Sequence, residues 1–192
     1  MTMRVPVFPT IIVVAAVATM IALGIWQLDR KGEKEALIAS AQQAAAMSSE
    51  VDYPADPAER DELLYRRTTV ACEQVESMTS IAGRSADGRN GVAQRATCRL
   101  ADGSPALVDI GFSRDPTPVE WDGGEISGVI APGGRIVATK PATGLEPLAQ
   151  PDPASLPNNH LAYAGQWFFF ALTALVIYFL ALRRRSTRAR AD

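Results

Sequence analysis

The sequence predicts a membrane α+β protein, in which two transmembrane helices flank a small antiparallel β-barrel or sandwich-like extramembrane domain. Three observations predict it: an uncharged apolar run near each end of the chain, a middle of short β-rich segments punctuated by glycine, and opposite charge on the ends and the middle. A chain of 192 residues holds one ordinary domain beside such helices, so a single core is expected.

The first apolar run carries no charge from Val5 until Asp29. A helix of about 20 residues, rising 1.5 Å per residue, crosses a hydrocarbon core of roughly 30 Å. Pro6 and Pro9 fall in its first turns, where a missing N–H costs least. Residues 161–182 form a second uncharged run of similar length. A cleaved signal peptide is the alternative for the first run, with Arg4 as its basic start and Ala16-Val17-Ala18 as a small-residue site. The run continues past that site to Leu28 and ends in Trp26-Gln27, as a retained anchor does. A buried core helix is the alternative for the second run, but arginines 183, 184, 185, 188 and 190 follow it, as they follow a stop-transfer segment.

Those arginines place both termini in the cytoplasm by the positive-inside rule, although Arg30, Lys31 and Lys34 oppose it at the first helix. The middle then lies in the periplasm, and the expected location is the bacterial inner membrane, since no Arg-rich, acid-poor transit segment precedes the first helix. From Asp29 to Asn159 the chain carries 13 Lys or Arg against 20 Asp or Glu, a net of −7, which excludes nucleic acid as a partner.

The expected organisation follows. Residues 1–28 make a short cytoplasmic start and the first transmembrane helix. Residues 29–50 make a separate, softer membrane-proximal helix with Leu37, Ile38, Ala41, Ala44 and Ala45 on one stripe, ended by Ser48-Ser49 and the Pro54 and Pro57 region. Residues 51–159 make the periplasmic β-rich domain, with candidate strands at 64–75, 79–83, 92–100, 106–112, 125–131 and 135–140. The breaks at 87–91 and 101–104 are short enough for hairpins. Residues 141–157 hold five prolines and read as an extended return to the membrane. Residues 160–182 make the second transmembrane helix and 183–192 the basic cytoplasmic tail.

His160, the one histidine in the chain, stands just before the second apolar run. Asn158 or Asn159 can cap that helix, and the partial positive charge of a helix N-terminus suits a neutral imidazole, the form that ligates metal. An interfacial side chain bonded to a headgroup or a loop carbonyl fits the same position. At 100° per residue His160, Tyr163 and Trp167 share a face, with Gln166 at its edge, while Trp26 and Gln27 stand at the same membrane depth on the first helix. An aromatic belt accounts well for the Trp and Tyr and is the default for either cluster taken alone, but it accounts poorly for two glutamines at membrane depth. Cys72 and Cys98 both fall in candidate strands, and either a structural bridge or two buried thiols fits them. The chain has no phosphate loop, no nucleophile elbow and no second histidine, so it is not expected to be an enzyme.

The run Asn158-Asn159-His160-Leu161-Ala162-Tyr163-Ala164-Gly165-Gln166-Trp167-Phe168, with Tyr178 and the arginines beyond, resembles the C-terminal hallmark of the Surfeit locus protein 1 family of cytochrome c oxidase assembly factors. Leu23-Gly24-Ile25-Trp26-Gln27-Leu28-Asp29-Arg30 with Lys34 resembles that family's N-terminal hallmark. The strand at 106–112 is similar to the family's valine-asparagine-arginine-glycine-tryptophan run, but Asp109, Ile110 and Phe112 depart from it.

The resemblance implies an assembly factor that binds haem a at the membrane interface and assists its insertion into the oxidase core subunit. The partners it implies are that subunit, the haem a synthesis machinery and membrane lipid. Haem a joins a lipid-soluble tail, polar propionates and an iron that takes a neutral imidazole. On this reading His160 is the axial ligand to the haem iron, Trp26 and Trp167 pack on the macrocycle or its tail, and Gln27, Gln166 and Tyr163 meet its polar edge. The alternative is a membrane scaffold that stabilises an oxidase assembly intermediate without binding haem.

Overall fold

The computed structural model describes residues 6–188, with the side chains of 186–188 left out of the description. Arg4, Arg190 and the side chain of Arg188 therefore lie outside the described residues. The chain divides into two compact units, one of residues up to Leu37 and from Pro157 onward, the other of Ile38–Leu156.

The first unit is built on two helices, α1 (Val7–Ala46) as far as Leu37 and α3 (His160–Arg188). Each is long and apolar enough to cross a bilayer, with windows of mean hydropathy 2.4 and 1.9. α1 does not break after residue 28, as the sequence suggested, but continues without interruption to Ala46. The charged stretch is held helical by ion pairs one turn apart, Arg30 with Glu33 and Lys31 with Glu35, the latter at 2.7 Å. Each such pair contributes about 0.3–0.5 kcal/mol, which together roughly offset the cost of about 1 kcal/mol for Gly32 inside a helix.

The second unit is a five-stranded sheet: β1 (Arg67–Arg84), β2 (Asn90–Leu100), β3 (Pro105–Ser113), β4 (Gly124–Ile130) and β5 (Ile136–Ala138). The pairing order is β1-β2-β3-β5-β4, and β4 also pairs with β1, so every strand has two neighbours. The sheet is mixed, which corrects the antiparallel expectation: β5 runs parallel to β3, with Val108 opposite Ile136. β3 and β5 each lie two antiparallel pairings from β1, through β2 and β4 respectively, so both run in its direction and must pair in parallel.

The candidate strands at 64–75 and 79–83 are one strand. β1 passes through the intervening residues because register shifts between Cys72 and Gln74 and between Val75 and Ser77 make Glu73 and Glu76 the extra residues of two bulges. The two hairpins, β1–β2 and β2–β3, form where the breaks indicated. A short helix, α2 (Pro57–Glu62), was not expected; Asp56 caps it by accepting the Ala58 N–H at 2.8 Å, and Pro57 occupies its first position. The proline-rich return is pinned rather than merely extended, since Glu146 bridges to Phe112 and Leu148 to Ser85. The Arg89 guanidinium pairs with the Glu146 carboxylate and holds its pKa below the ordinary glutamate range.

Val108, Ile110, Ile136 and Cys98 are fully enclosed at the centre, each aliphatic side chain contributing about 1.5–3 kcal/mol by burial. Gly128 admits no side chain, since a Cβ there would lie 2.5 Å from Ile136 Cγ2 and 2.6 Å from the Val137 carbonyl oxygen. Cys72 and Cys98 are joined by a disulfide between β1 and β2, which resolves the choice the sequence left open. Asp109, almost wholly buried, accepts from Arg95 at 2.6 and 3.0 Å and from Arg135 at 3.1 Å. Two guanidiniums around one carboxylate satisfy its oxygens, a requirement for any charge kept from water.

Candidate functional site

The two hallmark stretches meet in the first unit, where α1 and α3 run antiparallel. Three contacts fix that direction: the Thr10 hydroxyl with the Tyr178 hydroxyl, Gly24 against Phe168, and Gln27 with His160. Between the outer contacts each helix spans 17 or 18 residues, about 26 Å at 1.5 Å per residue, close to the thickness of a hydrocarbon core. Small buried residues line the seam, Gly24 on α1 and Ala164 and Ala171 on α3, with Val17. Close approach through small residues is how helices associate where water supplies no driving force. A Cβ at Gly24 would stand 2.5 Å from Phe168 Cε1.

His160 is the first residue of α3, and the Asn159 carbonyl accepts the Tyr163 N–H that opens the helix. The Gln27 side-chain oxygen, Oε1, lies 2.7 Å from His160 Nδ1. An amide oxygen only accepts, so with Oε1 facing the ring it is Nδ1 that donates, and Nε2 is the ring nitrogen left outside this bond. The bond fixes the orientation of the imidazole against α1. Asn158 adds a side-chain oxygen that is buried without a hydrogen-bond partner, two residues from the ring.

The other expected site residues are arranged differently. Trp26, Tyr163 and Gln166 stand on exposed faces of their helices, and the Arg30 guanidinium lies 5.8 Å from the Trp26 ring centroid. Trp167 is half-buried and meets Phe170 edge to face at 6.2 Å. Of the six, the structure joins only Gln27 and His160 by a direct bond. The seam residues Gly24, Ala164 and Phe168 were not singled out by sequence reasoning, although a glycine inside an apolar helix is the available signal for close helix approach. Among the described residues no cluster of three His, Cys, Asp or Glu could hold a metal ion.

The SURF1 family model matches residues 14–172, more than half of the chain, a span that includes residues 23–34 and 158–168. The chain belongs to the SURF1 family. A search of curated proteins finds no match. SURF1 is a family of oxidase assembly factors rather than of catalysts.

Proposed function

We propose that this SURF1-family protein is a two-pass protein of the bacterial inner membrane that holds haem a at the membrane surface through His160 and assists its insertion into the oxidase core subunit. The observation that carries the reading is the Gln27–His160 hydrogen bond, which engages Nδ1 and leaves Nε2 as the ring nitrogen open to a ligand. A single imidazole is a poor site for a bare ion, which needs several protein ligands, but it suits an iron whose macrocycle already supplies four nitrogens. Haem is cargo here, and one axial ligand holds it less firmly than two. Gln27 orients the ligand, while Trp26, Tyr163, Gln166 and Trp167 offer aromatic and amide groups to the macrocycle edge and tail. The partners on this reading are the core subunit, the machinery that makes haem a, and lipid.

Membrane insertion is supported by the outward faces of the helix pair. Phe8, Ile11, Phe169, Ile177 and Phe179 are each more than half exposed, an apolar surface far larger than water-soluble proteins present. Arg183, Arg184 and Arg185 after the second run support cytoplasmic termini. The Cys72–Cys98 disulfide supports a sheet domain on the oxidising, periplasmic side.

The test is the optical spectrum of the detergent-purified protein made alongside the enzymes of haem a synthesis, as wild type and as His160→Ala. Haem a retained by wild type and lost or spectrally altered in the variant supports the reading. Wild type free of haem a, under conditions that load a positive control, replaces it with a scaffold that binds an assembly intermediate without haem.

A further inference from the structure

β1 is 18 residues long, yet β4 pairs with it only from Arg67 to Cys72. Over residues 73–83 the edge turned away from β2 carries no ladder among the described residues; pairing on that side resumes only at the Ser85–Leu148 bridge. An open edge presents backbone donors and acceptors ready to receive another strand. Residues 73–83 contain no lysine or proline, two of the usual guards of such an edge; the bulges at Glu73 and Glu76 bend its first part, and residues 77–83 pair with β2 without a further register shift.

A groove of about 500 Å³ lies along the start of this edge. Val75, Met78 and Trp121 supply its apolar part, and the exposed carboxylates of Glu73, Glu120 and Asp122 surround them. No lysine or arginine lines it. Its far wall is fixed rather than loose: buried Gln94 donates to the Thr117 carbonyl at 3.0 Å and accepts the Val119 N–H at 3.2 Å, holding the segment that carries Trp121 against the sheet.

We propose that this edge and groove receive an extended segment of a partner protein, one in which Lys or Arg alternates with apolar residues. Strand addition to residues 73–83 satisfies the open backbone groups. Alternation sends apolar side chains toward Val75, Met78 and Trp121 and cations toward the three carboxylates. A three-carboxylate surround attracts a cationic strand and repels an acidic one, so charge sets the choice of partner. The inference is independent of haem binding.

The probe is a capped peptide of alternating lysine and valine, added to the full-length protein in detergent. Hydrogen exchange of the β1 amides is the readout. The expected result is slowed exchange within residues 73–83, binding weakened about tenfold or more by the double variant Glu120→Lys, Asp122→Lys, and no protection from the same peptide N-methylated at alternate residues. Both substituted side chains are exposed, and an unchanged far-UV spectrum checks that the variant folds. Absence of protection with the lysine peptide, equal binding of a glutamate-valine peptide, or equal binding of the N-methylated peptide overturns the proposal.

Discussion

Gln27 and His160, 133 positions apart in sequence, are joined by a 2.7 Å hydrogen bond between the amide oxygen and Nδ1 of the ring. Removing the acceptor leaves the ring free to turn. Partners of this kind typically change metal affinity about 10- to 100-fold. Gln27→Ala is therefore expected to lower haem a affinity within that range while leaving the far-UV spectrum unchanged. Spectral titration of wild type and variant with haem a checks it, and equal affinities would remove Gln27 from the site.

Gly24 is expected to be intolerant of large side chains. Gly24→Leu places carbon where the Phe168 ring lies, and overpacking of this sort costs about 1–3 kcal/mol. Cysteines introduced at Thr10 and Tyr178, which touch in the native pair, report on helix association by oxidative trapping. Trapping should fall in Gly24→Leu and recover when Phe168→Ala is added. Undiminished trapping in the single variant would show that the seam does not depend on Gly24.

The disulfide closes a loop with a sequence separation of 26, for which loop-closure entropy gives about 3–4 kcal/mol. The double variant Cys72→Ala, Cys98→Ala should lower the urea midpoint of the sheet domain accordingly. Alkylation before and after reduction, read by mass, should find both thiols blocked in the native protein. Thiols that alkylate without reductant would count against the bridge and against an oxidising location.

Glu146 sets an acid limit on the return segment. Its hydrogen bond from Arg89 lowers its folded-state pKa below the ordinary value of 4.5, so between the two values the unfolded chain binds more protons than the folded one. The contribution is present above pH 4.5 and is lost as pH falls through the folded value. Carboxyl titration followed by NMR should show Glu146 below the ordinary range in wild type and back near it in Arg89→Ala. An unchanged titration in the variant would assign the shift to another cause.

The two apolar helices were legible in sequence because a span is a property of composition and length, and α3 begins at the histidine where the second run was expected to start. The glycine-separated β segments were legible for a similar reason, since turn residues act locally. Within the candidate site, His160 and Gln27 could be picked out by residue type at membrane depth, but nothing local says which of six side chains touch.

By itself the sequence determined the order of elements, the acidic middle, the basic residues after the second run and the family hallmarks, all of which depend on neighbours within a few turns. Tertiary structure decided the rest. The parallel placement of β5 beside β3, the bulges that make β1 one strand, and the Cys72–Cys98 bridge each depend on partners far off in the chain. The facing of Gln27 onto His160 is of the same kind: it follows from the antiparallel register of α1 and α3, which close packing at Gly24 and Phe168 and the Thr10–Tyr178 contact set together.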